Sequence, residues 1–140
     1  MNIFGIGTDI VECLRIAQMI ERHGELFIQR VYTPLEIQYC QNRKASTQHF
    51  AGRWAAKEAI LKCLGTGWRR GLCWTDMEIR NDPLGKPRVL LRGAARDQAQ
   101  TMRITDVLLS ISHCRAYATA HAIAISIAGG NLAKWDEAEE

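Results

Sequence analysis

The chain has 140 residues, 47% of them hydrophobic and 24% charged, and a formal net charge of +3, which fits one compact globular domain of ordinary composition. No apolar run approaches the roughly 20 residues that span a bilayer, and the N-terminus Met1-Asn2-Ile3-Phe4 lacks the basic stretch and long apolar run of a signal peptide. The five cysteines (Cys13, Cys40, Cys63, Cys73, Cys114) are odd in number, widely spaced and form no CxxC pair, so neither a zinc site nor a disulfide framework is expected, and a reduced, cytoplasmic protein is.

Residues 2–10, NIFGIGTDI, read as a strand with Ile3, Gly5, Gly7 and Asp9 on one face and Phe4, Ile6, Thr8 and Ile10 on the other. Asp9 then emerges at the strand's end beside small residues that leave room for a ligand. Residues 11–23 read as a helix with Leu14, Ala17 and Ile20 inward and Arg15, Gln18 and Arg22 on another face. Thr33-Pro34 marks a helix start. A longer helix is expected over about 47–64, with Ser46 or Thr47 as cap and Gly65-Thr66-Gly67 as stop. Short strands near 74–80 and 87–91 are joined by the turn Asn81–Gly85, a helix covers 93–102, and 107–113 and 116–127 form a final antiparallel pair. One face of that last strand is all alanine (116, 118, 120, 122, 124), which permits close packing of a helix or a neighbouring subunit.

Between Arg43 and Arg70 stand seven basic residues and one acid, Glu58, a local positive field suited to phosphates or an acidic partner. The segment lacks the interleaved exposed aromatics of a nucleic-acid stacking surface. On the long helix, Phe50, Trp54, Leu61 and Leu64 form an apolar stripe that includes Lys57, with Glu58 and Lys62 on its shoulder and Arg53 on the opposite flank. Taken singly these residues have bland readings: Lys57 snorkels, Glu58–Lys62 is an ordinary i,i+4 pair, Asp9 is an N-cap and His113 is structural. Together, two carboxylates, a lysine one turn on and a glycine loop resemble a site for hydrated magnesium and phosphates, because magnesium often takes only one or two carboxylates and keeps several waters.

Three segments, GIGTDIVE at 5–12, FAGRWAAKEAILKCLGTG at 50–67 and SISHCRAYA at 110–118, with GKP at 85–87, resemble the holo-acyl-carrier-protein synthase type of 4′-phosphopantetheinyl transferase. The resemblance implies an α+β fold, a small antiparallel sheet packed with one long and several short helices, over a single domain 1–128 followed by an acidic tail 129–140. It implies that Asp9 and Glu58 hold magnesium, that Lys62 lies near the reacting phosphate, and that Arg53, Gly65, Thr66 and His113 help hold coenzyme A. It further implies transfer of phosphopantetheine from coenzyme A to a serine of an acyl carrier protein, by default that of fatty-acid biosynthesis, and a homotrimer with active sites between subunits. The exposed arginines Arg15 and Arg22 are the candidate dock for an acidic carrier. Cys114 after the histidine and Trp68-Arg69-Arg70 after the glycine loop depart from the family's usual residues. The alternative is a non-catalytic coenzyme A or carrier-protein binding module, for which Asp9, Glu58 and Lys62 would not all be needed.

Overall fold

The structure, a computed structural model, describes residues 1–65, 67 and 71–135. Thr66, Trp68-Arg69-Arg70 and Asp136–Glu140 lie outside the described residues, so the expectations placed on them are not taken further. The elements are β1 (Asn2–Glu12), α1 (Cys13–His23), α2 (Glu25–Val31), α3 (Pro34–Gln41), α4 (Ser46–Leu64), a 3-10 turn (Trp74–Asp76), β2 (Met77–Asn81), β3 (Pro87–Leu91), α5 (Gly93–Thr101), β4 (Asp106–His113) and β5 (Tyr117–Ser126). This is the expected α+β arrangement. One antiparallel sheet has the order β1-β5-β4, and β2-β3 form a separate hairpin.

The final strand is therefore the centre of the sheet, not half of an isolated pair. It bonds to β4 on one side and to β1 on the other, up to Glu12 opposite Tyr117. That pairing carries β1 two residues past its expected end and delays α1 to Cys13. The helix turns accordingly: Cys13 and Ile16 are buried, whereas Leu14, expected inward, faces out. The short helix α2 was not expected, although Phe27, Ile28 and Val31 are buried at helical spacing. The entrance to α4 also differs from expectation. Its N-cap is Ala45 and no side chain caps it. In contrast, Thr33 and Glu36 close a full capping box around Pro34 at the start of α3. The strand expected from 74 begins only at Met77, because Trp74–Asp76 close a 3-10 turn whose Asp76 carboxylate accepts from Cys73 N–H at 3.2 Å.

α4 is buried on most of its circumference, so it has no single apolar stripe. It lies across the sheet, where Ala118, Ala120, Ala122 and Ala124 are all fully buried; the small side chains let the helix sit close to the strands. The closest approach is to β1. A Cβ on Gly7 would stand 1.9 Å from the Ala59 carbonyl oxygen and 2.6 Å from Cys63 N, and one on Gly5 would stand 2.2 Å from the Cys63 oxygen. Only glycine permits this contact of helix backbone on strand backbone.

Lys57 does not snorkel. It is fully buried, and its ammonium donates to Glu36 Oε1 at 2.7 Å, to the Val31 carbonyl at 2.6 Å and to the Trp74 carbonyl at 3.2 Å. Glu36 in turn accepts from Thr33 N–H at 2.9 Å and from Ile79 N–H at 3.0 Å. One ion pair thus ties α2, α3, α4, the 3-10 turn and β2 together. Burial pushes the Lys57 pKa down, and the Glu36 charge opposes that shift. Lys57→Met leaves Glu36 buried without its counter-charge, and is expected to cost about 3–5 kcal/mol. Urea unfolding read by circular dichroism checks this; a midpoint unchanged from wild type contradicts it.

Candidate active site

Gly7 and Asp9 share one face of β1, and α4 crosses that face. The glycine contacts with Ala59 and Cys63 therefore carry Asp9 to the flank of α4 where Glu58 and Lys62 project. Lys62 Nζ donates to Asp9 Oδ1 at 3.1 Å and to the Thr8 carbonyl at 2.9 Å. The ion pair that Lys62 makes is this one across 53 residues, not the expected i,i+4 pair with Glu58. Its lysine side chain is 53% exposed and its aspartate 16%, so the ammonium faces open solvent while the carboxylate is largely sheltered.

Glu58 completes the group. Burial raises its pKa first, and the negative charge of Asp9 raises it further; Lys62 and Arg15 pull the other way. Two carboxylates held close enough to repel, with one lysine between them and solvent, form a site that a hard cation relieves. Among the described residues no three His, Cys, Asp or Glu side chains gather for a metal. An all-oxygen pair suits magnesium, which binds through one or two carboxylates together with waters and substrate phosphates.

The influence of Arg15 on Glu58 places the start of α1 beside this pair, and Arg15, Gln18 and Arg22 are exposed along that helix. Gly65 ends α4 two turns after Glu58 in a left-handed conformation (φ 72°), its N–H donating to the Lys62 carbonyl at 3.0 Å. The loop thus begins directly beyond Lys62; Thr66 lies outside the described residues.

Arg53 and His113 form a second group. His113 Nδ1 is 2.8 Å from Gln48 Oε1, and its ring packs edge-on against His49 at 4.8 Å. His49 meets Tyr39 in the same manner at 5.6 Å, and the Arg43 and Arg53 guanidiniums lie 4.3 and 4.0 Å from the Tyr39 ring centre. Arg53 is almost wholly buried, its Nε has no hydrogen-bond partner, and it lines a cavity of about 590 Å³ with Arg43 and Asn81. The cluster of cations and rings depresses the His49 pKa, by burial first and then by His113, Arg53 and Arg43. Arg53 and Glu58 are about 140° apart around α4 at 100° per residue, so the two groups occupy different sides of one helix. The basic run from Arg43 signalled Arg43 in the sequence; Tyr39, His49 and Gln48 had no such signal.

An aspartate of β1 beside a glutamate and a lysine of α4, on an α+β frame with a buried central helix, is an arrangement that can take a hydrated cation and phosphate oxygens. Residues 5–125 match the 4′-phosphopantetheinyl transferase superfamily, and the chain belongs to it. It is 46% identical over 123 residues to the holo-[acyl-carrier-protein] synthase of Rhodopirellula baltica, covering 88% of this chain and 98% of that one. It is 48% identical over 119 residues to the synthase of Protochlamydia amoebophila, covering 85% and 95%. Among solved structures it resembles holo-[acyl-carrier-protein] synthase from Neisseria meningitidis, with TM-score 0.82, 34% identity and coverage of 89% and 100%. It also resembles the Helicobacter pylori synthase in complex with coenzyme A, with TM-score 0.76, 30% identity and coverage of 86% and 99%.

Proposed function

We propose that this protein is a holo-[acyl-carrier-protein] synthase that transfers the 4′-phosphopantetheine group of coenzyme A to a serine of apo-acyl carrier protein, releasing adenosine 3′,5′-bisphosphate. The observation that carries the site assignment is the meeting of Asp9 with Glu58 and Lys62, from elements about 50 residues apart. Asp9 and Glu58 would hold magnesium, whose charge when bound stabilises the negative charge that develops on the pyrophosphate. Lys62, exposed beside Asp9, adds a second positive charge there and supplies a proton donor for the leaving phosphate. Glu58, placed beside Asp9 and Lys62, is the candidate base for the serine hydroxyl. Arg53, Gly65 and His113 would hold the nucleotide end of coenzyme A, in one transferase domain over residues 1–128.

A homotrimer is supported by the outer face of the sheet, where Ile6 is 69% exposed and Ile10 64%, with Phe4, Leu108 and Tyr117 also exposed; such an apolar patch is unusual on a monomer. The separation of Arg53 and His113 from Asp9 within one chain fits sites completed between subunits. Light scattering at a monomer mass would exclude this assembly. Cytoplasmic fatty-acid synthesis is the expected setting, and among the described residues no helix is long and apolar enough to cross a membrane.

The test is incubation with coenzyme A, magnesium and apo-carrier protein. A carrier heavier by one phosphopantetheine is expected; an unmodified carrier that still binds would favour the non-catalytic binding module.

Docking is tested separately. Arg15→Glu is expected to weaken carrier binding roughly tenfold at low salt, less at high salt, because exposed charges steer an acidic partner through a screened field. Arg80 is an unsuitable comparator: its Nε donates to the buried Glu78 carboxylate, so a reversed charge there would unfold the hairpin. Exposed Arg88 is the proper control, and Arg88→Glu should leave binding within about twofold. Equal losses in the two variants would remove the docking assignment.

A further inference from the structure

Cys13 opens α1 directly after β1. Its N–H donates to the Ala116 carbonyl at 2.9 Å, its side chain is 4% exposed in the core, and its Sγ lies 3.7 Å from the Cys114 carbonyl oxygen. Cys114 is exposed, follows His113 and precedes the turn into β5, where its N–H donates to the Tyr117 carbonyl at 2.9 Å. Burial raises the Cys13 pKa, and the Cys114 charge raises it next, as expected for neighbouring sulfurs. The other thiols stand apart from this pair. Cys40 and Cys63 are buried in the core with pKa values pushed up to about 12, and Cys73 is exposed elsewhere, its Sγ 3.8 Å from the Gly71 carbonyl.

We propose that Cys13 and Cys114 form a reversible disulfide that joins the β1–α1 junction to the β4–β5 turn. The Cys114 sulfur is a few bonds from the oxygen that Cys13 already touches, and residues 114–116 are an exposed turn. Rotation of the Cys114 side chain with a small shift of this turn brings the sulfurs to bonding geometry. The oxidant is a hydroperoxide. The exposed Cys114 thiolate attacks the peroxide O–O bond and becomes a sulfenic acid as hydroxide leaves and is protonated. Cys13 then attacks that sulfur, the S–S bond forms, the S–O bond breaks and water leaves. Two thiols lose two electrons in total, and hydrogen peroxide is reduced to two waters. An excess of small thiol reverses the bond.

The bond would sit between the segment that carries Asp9 and Arg15 and the segment that carries His113, so it fixes their relative placement. This consequence rests on the proposed active site, whereas the bond itself does not. Hydrogen peroxide treatment of the full chain, followed by proteolysis without reduction, should yield a peptide joining Cys13 to Cys114, lighter than its parts by the two thiol hydrogens. Transferase turnover should fall about tenfold or more, as misplacement of site groups does, and return with dithiothreitol. Cys114→Ser, at an exposed position, should fold and resist inactivation; Cys73→Ser should behave as wild type. Absence of the joined peptide, with Cys114 oxidised alone, overturns the bond. A joined peptide with undiminished turnover overturns its effect on catalysis. Because the linkage is read by mass, an untreated protein that fails to modify carrier counts against the transferase reading and not against the disulfide.

Discussion

Glu58→Gln and Asp9→Asn are each expected to lower magnesium-supported transfer on the order of 10²–10³-fold, the range lost when one preorganised charge-stabilising group is removed. Both substitutions keep side-chain volume, and neither carboxylate is part of the buried Lys57–Glu36 network, so the fold should persist. The pH dependence separates this reading from a structural one. The folded Glu58 pKa is raised above its ordinary value, so the folded state binds the proton more tightly than the unfolded chain. The stability this contributes is fully present below about pH 4.5 and is lost as pH rises through the raised folded value. In metal-free protein, Glu58→Gln should therefore gain thermal stability relative to wild type as pH rises from about 4.5 through the raised folded value. Magnesium with coenzyme A should narrow that gap by stabilising wild type more than the variant. A variant with near-wild-type turnover would falsify the assignment of Glu58, and a pH-independent stability gap would remove the electrostatic argument.

Gly7→Ala should be the most damaging small substitution in the chain. Its Cβ would lie 1.9 Å from the Ala59 carbonyl oxygen, far inside contact distance, and the obstacle is helix backbone that cannot rotate aside. α4 must lift from β1, at an expected cost of about 3 kcal/mol or more. Because Asp9 is on β1 while Glu58 and Lys62 are on α4, the same displacement opens the site, so turnover should fall even at temperatures where the variant stays folded. Gly85→Ala makes the contrast. No neighbouring atom stands within 4 Å of its Cβ position, although its φ of 89° still penalises a side chain, so it should cost stability of about 1 kcal/mol without opening the site. Activity lost only in proportion to unfolded protein at Gly7 would contradict the positional role.

The elements that announced themselves did so through local chemistry. The Thr33-Pro34 start, the Gly65 stop and the Asn81–Gly85 turn each use residues whose backbone preference is independent of the rest of the chain. Phase was harder. Leu14 was misplaced because β1 continues to Glu12 only through its pairing with β5, a partner more than 100 residues away. α2 was missed because seven residues offer too few turns for a period to register. Lys57 was misread as a snorkelling side chain because its counter-charge, Glu36, comes from a different helix 21 residues earlier.

What the amino-acid order settled by itself was the inventory: a glycine-lined strand carrying Asp9, a helix bearing Glu58 and Lys62 one turn apart, and the motif spacing that marks the family. What only the folded chain decided was who meets whom. Lys62 turned from its helical neighbour to Asp9, Arg53 and His113 went to another side of α4, and Arg80 proved to be held by a buried glutamate. The reason is physical: periodicity and turn propensity act over a few residues, whereas charge pairing and backbone approach are set by distances that the chain acquires only when α4 closes onto β1.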